Sequence, residues 1–285
     1  MRRLIVNADD FGLTSGVNRA IAEANARGIV TSATLMANSQ AFAEAVDIAK
    51  QSPRLKAGCH VVLIDGTPIR NDVPSLTNGG PRFRSSLKDF AQAAVRKRIS
   101  ADEIQREAEA QICKLQAAGI DVTHVDTHKH THLFPHVLRS VIRAAKTCGV
   151  RAIRNPFEPR RTRPRSGTER MWLRSAGVAA FSIFEQQFRH AVSEENMITP
   201  VGTVGIVATG KLNQEQMTAI LNALPEGTWE LVCHPGYCDA DLRNAGTRLL
   251  ESRHVELQAL TSDETKQVIA DRGIELITYA DLKES

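Results

Sequence analysis

Short apolar runs alternate along the chain with longer stretches in which apolar residues recur every three or four positions. The runs predict strands and the periodic stretches predict helices. The clearest helix spans residues 101–118, where apolar residues from Ile104 to Leu115 share one face and Gly119 follows the end. This alternation predicts an α/β protein with a parallel sheet and helical crossovers.

The complete set of predicted elements shows how often the alternation repeats. Strands are predicted at residues 4–8, 31–36, 55–63, 122–126, 150–154, 203–208, 229–233 and 274–277. Helices are predicted at residues 17–26, 41–50, 101–118, 135–148, 213–223, 243–260 and 265–272. So many strand–helix units in a single chain predict a barrel or near-barrel, with a doubly wound open sheet as the alternative.

Two stretches interrupt the alternation and predict irregular insertions. Residues 65–86 are rich in Gly, Pro, Asn and Asp, which predicts a long loop. Residues 155–168 contain Pro156, Pro159 and Pro164, which exclude a regular helix or a central strand. Neither an internal repeat nor a clear interdomain linker is visible in the sequence, so a single domain over residues 1–285 is expected.

Composition narrows the class of protein. The 285 residues are 42% hydrophobic and 24% charged, as is typical of a soluble globular protein. No apolar stretch approaches the length of a spanning helix, and the first apolar run ends in two acids, unlike a signal peptide. The five cysteines are scattered and odd in number, which favours reduced thiols and a cytoplasmic location.

Charge and aromatic content disfavour nucleic acid as a partner. The 36 Lys and Arg against 32 Asp and Glu give a net charge of +4, too small to indicate nucleic-acid binding. Aromatic residues make up only 5% and do not alternate with the arginines. After the first strand, where a phosphate cradle would be neutral or basic, the chain reads Asp9-Asp10-Phe11-Gly12.

Ionisable side chains lie at the ends of four predicted strands. Asp9 and Asp10 end the first strand, His60 lies near the end of the third, and His234 follows a late strand. The fourth strand runs into the histidine tract, residues 124–132. Because the carboxyl ends of parallel strands surround one crevice, these side chains are expected to meet there.

The histidine tract is the strongest single signal of chemistry. Its ionisable residues fall on even positions and would project to one side of an extended segment: His124, Asp126, His128, His130 and His132. Burying so many polar rings costs several kcal/mol unless each finds a partner, and a divalent metal is the usual partner. One carboxylate with two histidines is a common catalytic metal set.

Structural interpretations of the same residues stay open at this point. Asp9 and Asp10 could cap the helix that follows them, and His60 could pack as an ordinary strand histidine. His130 and His132 could support other ligands or cap a helix without touching a metal. A Gly-x-Ser-x-Gly motif is absent from the sequence, which disfavours a serine esterase.

Together and in this order, the motifs resemble the YdjC-like family of carbohydrate deacetylases. The segments that carry the resemblance span nearly the whole chain: Asn7-Ala8-Asp9-Asp10-Phe11-Gly12, Gly58-Cys59-His60, residues 124–135 and Cys233-His234-Pro235-Gly236. Within the family, residues 60–66 and 154–159 are most similar to the branch associated with hopanoid biosynthesis.

The resemblance implies a distorted (β/α) barrel and metal-dependent hydrolysis of an N-acetyl group on an amino sugar. Asp10, His60 and His128 match the ligands of one divalent ion, magnesium or zinc. Asp9 matches the general base, and His234 matches the acid that protonates the leaving amine. A supporting or substrate-binding role is expected for four more residues: Asp126, His130, His132 and Arg154.

The adjacency of Asp9 and Asp10 raises a geometric difficulty. Neighbouring side chains of a regular strand point to opposite faces, so both can serve one site only if the strand breaks. We expect the break at Phe11-Gly12, since glycine tolerates the required backbone conformations.

The hopanoid branch implies a lipid-linked substrate, an N-acetylglucosaminyl hopanoid glycolipid. Arginines are frequent at residues 160–174, and large apolar residues are frequent at 171–188. This pattern predicts either a solvated basic loop and a core helix, or an interfacial helix at an anionic membrane. A cytoplasmic homodimer is expected, and the second alternative places the 160–190 segment at the inner membrane surface.

Two other functions stay open. A soluble deacetylase of chitin-type oligosaccharides would act on substrates without a lipid tail. A non-catalytic metal-binding protein of a lipid pathway would need neither Asp9 nor His234.

Overall fold

One parallel sheet organises the protein, whose computed structural model describes residues 1–159, 162 and 182–282. Seven strands of these residues belong to it, in the order β4-β3-β2-β1-β6-β5, with β7 also paired to β1. The strands are β1 (Arg2–Phe11), β2 (Ser32–Leu35), β3 (Lys56–Val61), β4 (Val125–Thr127), β5 (Gly202–Val204), β6 (Gly227–Cys233) and β7 (Ile274–Ile277). The predicted parallel α/β sheet is confirmed.

The first strand forms the middle of the sheet. On one edge it pairs with β6 from Arg2 to Ala8. On its other edge, β7 pairs with its first half and β2 pairs from Asn7 onward. Every residue from Leu4 to Phe11 is buried, as expected of a parallel strand that is covered on both faces.

An extended segment, residues 152–157, lies between β4 and β5, the two outer strands of the sheet. The amide of Val125 in β4 donates to the carbonyl of Ala152 at 3.0 Å, and the amide of Arg154 donates back to Val125 at 3.1 Å. Farther along, Thr203 in β5 donates to the carbonyl of Phe157 at 3.1 Å. The sheet therefore curls into a distorted barrel, and the strand predicted at 150–154 forms only isolated bridges.

Helices follow most of the strands and cover the sheet. They are α1 (Ser15–Arg27), α2 (Phe42–Gln51), α3 (Pro74–Thr77), α4 (Leu87–Val95), α5 (Ala101–Ala117), α6 (Pro135–Thr147), α7 (Glu185–Glu194), α8 (Gln214–Ala223), α9 (Ala240–Asn244), α10 (Ser252–Thr261) and α11 (Asp263–Asp271). The start of α1 is set by Thr14, whose hydroxyl accepts the amide of Val17 at 3.3 Å. The predicted capping of this helix by Asp9 or Asp10 is therefore wrong.

The single helix predicted at residues 243–260 is wrong. The chain forms α9 and α10 there, separated by an irregular connection. Gly246 lies in this connection with a φ of +70°, a left-handed conformation that a continuous helix cannot contain. Helix α10 therefore begins separately, at Ser252.

The predicted long loop at residues 65–86 is irregular apart from α3. Glu107 on α5 anchors its start by accepting the amides of Ile69 at 2.9 Å and Arg70 at 3.0 Å. The second predicted insertion is irregular where it is described, at residues 155–159.

Much of the basic and apolar segment at 160–190 lies outside the described residues, so its interfacial helix stays a prediction. Over residues 1–159, 162 and 182–282, no helix is both long enough and apolar enough to cross a bilayer.

Candidate active site

A bulge at the end of β1 turns two adjacent carboxylates into the same crevice. The register with β2 passes from Ala8 to Phe11 while β2 advances from Ala33 to Leu35, so β1 contains one extra residue. Asp10 occupies the bulge with a φ of +65°, which is uncommon for a residue other than glycine. The strand therefore breaks at Asp10 itself, one residue before the position expected from the sequence.

Three donor atoms from three strand ends converge beside this bulge. Asp10 Oδ1 lies 3.6 Å from His60 Nε2 and 3.2 Å from His128 Nδ1, and the two imidazole nitrogens are 3.2 Å apart. Asp10 and His60 are buried, whereas the His128 side chain is 20% exposed. The three residues predicted as metal ligands are thus brought together, with one side open toward solvent.

The spacing of these donors fits a divalent metal. Ligands at about 2.0–2.1 Å from a tetrahedral ion lie roughly 3.3 Å from one another, close to the separations found between these three atoms. A carboxylate and two imidazoles are also a donor set that zinc and similar ions bind. Asp10, His60 and His128 could therefore hold one such ion and leave room for water or substrate.

Asp126 fixes the orientation of the His60 ring. Its Oδ1 lies 2.7 Å from His60 Nδ1, which leaves Nε2 to face Asp10 and His128. Burial disfavours a charged imidazole, but the carboxylates of Asp126 and then Asp9 outweigh burial and raise the pKa of His60 to about 9. The surroundings of His60 therefore favour positive charge, whether a proton or a metal ion supplies it.

Arg154 is the centre of a buried charge network behind the metal-ligand group. Its side chain is fully buried and contacts Asp9 at 2.6 Å, Asp126 at 2.5 Å and Glu230 at 2.6 Å. Tyr279 completes the network by donating its hydroxyl hydrogen to Glu230 at 2.6 Å. Burial would raise the pKa of Asp9, but the Arg154 guanidinium holds it well below its ordinary value. Asp9 is thereby kept ionised in a dry environment.

His234 faces the ionised Asp9 from the end of β6. Its Nε2 lies 3.9 Å from Asp9 Oδ2, and its Nδ1 lies 3.9 Å from Glu256 Oε2. Among the described residues, this Nδ1 atom has no hydrogen-bond partner. Glu256 also accepts the His234 amide at 2.6 Å. Burial lowers the pKa of His234 to about 4 and raises the pKa of Glu256 to about 7. Burial thus favours the neutral form of both side chains.

Helix α10 supplies two site residues that the sequence analysis missed. Arg253 is fully buried and donates to Asp10 Oδ2 at 2.5 Å, while Glu256 lies one turn farther along the same helix. No sequence pattern marks either residue, because both lie in a charged helix that reads as exposed. Glu230, also missed, had a signal: it is an isolated acid within the apolar run Trp229–Cys233.

The histidine tract does not form the extended segment predicted for it. Strand β4 ends at Thr127, and residues His128–Leu133 form a 3-10 turn. Lys129 and His130 interrupt that turn with φ angles of 55° and 53°. The even-numbered side chains therefore do not project to one side, and only His128 joins Asp10 and His60.

The other tract histidines have separate surroundings. His132 is buried, with its ring nitrogens 2.7 Å from the Thr127 hydroxyl and 3.2 Å from the Arg154 carbonyl oxygen. The buried Nδ1 atom of His130 has no hydrogen-bond partner within the part of the chain that the structure describes. His124 stacks on Tyr279 with ring centroids 3.6 Å apart. His132 and His124 thus take part in packing and hydrogen bonding around the site.

Comparisons with known proteins agree on one family. A family model described as YdjC-like protein matches residues 3–271. A carbohydrate deacetylase of Brevibacillus brevis is 36% identical over 98% of this chain and 99% of the relative. A carbohydrate deacetylase of Geobacillus stearothermophilus is 35% identical over 98% of this chain and 97% of the relative. A crystal structure from Enterococcus faecalis is 28% identical, covers 98% of this chain and 97% of its own, and superposes with a TM-score of 0.77.

Proposed function

The chain belongs to the YdjC-like family, and on that premise we propose that it is a hydrolase that removes the N-acetyl group of an amino sugar with one divalent metal ion. The convergence of Asp10, His60 and His128 beside Asp9 and His234 carries the proposal. The carbohydrate deacetylases to which the chain is similar over almost its full length support it.

Asp10, His60 and His128 would hold the ion. When bound, it lowers the pKa of water and polarises the acetyl carbonyl, which an unassisted amide needs because it is a poor electrophile. Two imidazoles in the donor set favour zinc or a similar transition metal over magnesium, which prefers oxygen ligands. Asp126 and Arg253 support this group by fixing the His60 ring and one oxygen of Asp10.

Asp9 and His234 would move the protons. Asp9 is ionised, the form a general base needs, and takes a proton from the attacking water. Its basicity is low because of Arg154, so protonated Asp9 gives up its proton readily. Burial keeps His234 neutral near pH 7, so its Nε2, 3.9 Å from Asp9 Oδ2, can take up that proton and pass it to the departing nitrogen, and acetate and the free amine result.

The substrate we propose is an N-acetylglucosaminyl hopanoid glycolipid, on the sequence likeness to the hopanoid-associated branch. A homodimer in the cytoplasm, with the 160–190 segment at the inner membrane surface, remains part of the same prediction. A chitin-type oligosaccharide is the competing substrate, because it presents the same N-acetyl group without a lipid tail.

Mass spectrometry of the two substrates tests the activity. The purified protein is loaded with zinc and incubated with an N-acetylglucosaminyl lipid or with a chitooligosaccharide. We expect the lipid to lose one acetyl group with wild-type protein and to stay intact with Asp9→Asn. If only the oligosaccharide is deacetylated, the proposed lipid substrate is wrong and the chitin-type oligosaccharide is the substrate. Metal-loaded protein that leaves both substrates intact would contradict the enzyme and favour a metal-binding role.

A further inference from the structure

Two thiols from different helices meet on the surface of the protein. Cys113 lies in α5, and Cys148 directly follows α6. Their sulfur atoms are 3.7 Å apart although the residues are separated by 35 positions in sequence. The sequence alone gave no reason to pair them, since the five cysteines are scattered.

The surrounding backbone is well placed for a covalent link. Helices α5 and α6 pack against each other, and the Gln116 side chain donates to the Cys148 carbonyl at 2.8 Å, which ties the end of α6 to α5. A disulfide needs its sulfur atoms at about 2.05 Å. Closing the 3.7 Å gap therefore requires the two sulfur atoms to move together, on helix segments that are already in contact.

Both thiols can be reached from solvent. Cys113 is exposed and Cys148 is half-buried, whereas Cys59 and Cys233 are fully buried and lie in the sheet. Cys238, partly exposed, follows β6 and gives the chain an internal control for a thiol outside the pair.

We propose that Cys113 and Cys148 form a reversible disulfide by exchange with a low-molecular-weight disulfide such as oxidised glutathione. The Cys113 thiolate attacks one glutathione sulfur, the glutathione S–S bond breaks, and one glutathione leaves as a thiol. The Cys148 thiol then loses its proton and displaces the second glutathione. One protein disulfide forms, two protein thiols are oxidised, and one glutathione disulfide is reduced to two thiols.

The surroundings of the two thiols set the order of attack. Burial, followed by the hydrogen bond with Cys113, raises the pKa of Cys148 to about 12. Cys148 is therefore a poor first nucleophile, and part of this effect ends once Cys113 has been consumed.

Neither thiol belongs to the residues that form the candidate active site. Cys148 ends the helix that leads back to the amino-terminal ends of the strands, whereas Asp10, His60 and His128 lie at or beyond the carboxyl ends. The disulfide should therefore stabilise the fold without changing catalysis. Linking residues 35 positions apart should raise Tm by about 5 °C or more.

Oxidation of the full chain with a glutathione redox buffer tests the proposal. Wild-type protein should lose the mass of two hydrogen atoms, give a Cys113–Cys148 peptide on non-reducing digestion, and unfold at a higher Tm that dithiothreitol reverses. Cys113→Ser and Cys148→Ser should show neither the linked peptide nor the shift, while Cys238→Ser should behave like wild type. Both serine variants report on stability in the reduced state, so a folding defect would be recognised.

Two results would overturn the proposal. One is wild-type protein that retains glutathione adducts on Cys113 without forming the linked peptide. The other is a linked peptide that joins Cys113 or Cys148 to Cys238. Either result would show that the proximity of the two thiols does not lead to a bond between them.

Discussion

Single carboxylates determine what each histidine of the site can do. Asp126 accepts at His60 Nδ1 and so leaves the opposite nitrogen for a metal. Glu256 lies at Nδ1 of His234 and leaves its opposite nitrogen toward Asp9. The support differs in kind, because Asp126 is hydrogen-bonded to His60 at 2.7 Å whereas Glu256 lies 3.9 Å from His234 Nδ1.

Replacing Asp126 with asparagine should weaken metal binding about 10- to 100-fold, because the His60 ring loses its anionic partner. Competition with a metal-sensitive dye would measure the affinity. The exposed Asp121→Asn, which precedes the same strand, is the matched control and should bind as wild type does. Equal affinity in the two variants would contradict a supporting role for Asp126.

Replacing Glu256 with glutamine should lower kcat about tenfold or more with little change in KM. A neutral amide would stabilise the His234 imidazolium less than an ionised carboxylate does, so His234 should take up and pass on a proton less readily. Steady-state kinetics across pH would reveal the change, with metal content unaltered. Exposed Glu251→Gln, just before the same helix, is the control. An unchanged kcat and an unchanged pH profile in Glu256→Gln would contradict a role for Glu256 in proton transfer by His234.

At the scale of elements, close approach between β3 and the start of β4 shapes the back of the site. A Cβ atom on Gly58 would lie 2.4 Å from the His124 ring, so only glycine lets this imidazole lie against the strand. The ring then stacks on Tyr279, whose hydroxyl reaches the Arg154 network through Glu230. Gly58 lies within the uninterrupted strand β3, and its lack of a side chain there is a packing requirement.

Gly58→Ala should therefore destabilise the protein by about 1–3 kcal/mol through overpacking. Urea unfolding would measure the free energy of unfolding. Gly80→Ala serves as the control, because the nearest atom to its added Cβ is 3.6 Å away and the cost should be small. Similar stability losses in the two variants would show that His124 moves aside at little cost.

Strands and helices could be predicted from the sequence where the local apolar pattern was strong. They could be predicted less well where tertiary contacts determine the conformation of the backbone. The apolar run at residues 4–8 predicts the central half of β1, but the bulge at Asp10 has no local signature. Residues 128–132 read as extended by alternation alone, yet two left-handed residues fold them into a turn. Helix α10 lies beside the site only because the chain breaks near Gly246.

At the scale of the whole molecule, the parallel topology brings distant segments to one crevice. The predicted ligands could be chosen from the sequence because Asp10, His60 and His128 each lie at or beyond a strand end. The role of Arg253 could not be predicted from the sequence, since its contact with Asp10 spans 243 positions and depends on how α10 packs. The family resemblance predicted a supporting or substrate-binding role for Arg154, but it did not predict the contacts of Arg154 with three carboxylates.

A metal at this junction should stabilise the whole fold, because it links ligands from three parts of the chain. Free metal at 100 times Kd contributes about 2.7 kcal/mol, or about 5 °C in Tm. Calorimetry with and without a chelator would measure the shift. The chelator should not change the Tm of His128→Gln. If the chelator also leaves the Tm of the wild-type protein unchanged, the protein does not bind a metal tightly enough to stabilise the fold.

The metal content of three purified proteins tests whether Asp10, His60 and His128 bind the ion. After dialysis against zinc and removal of the free ion, wild type and Asp9→Asn should each retain about one equivalent per chain. His128→Gln should retain almost none, although all three unfold cooperatively. Loss of metal from Asp9→Asn would contradict the role of Asp9 as a base outside the ligand group. Full retention by His128→Gln would show that His128 is not a ligand.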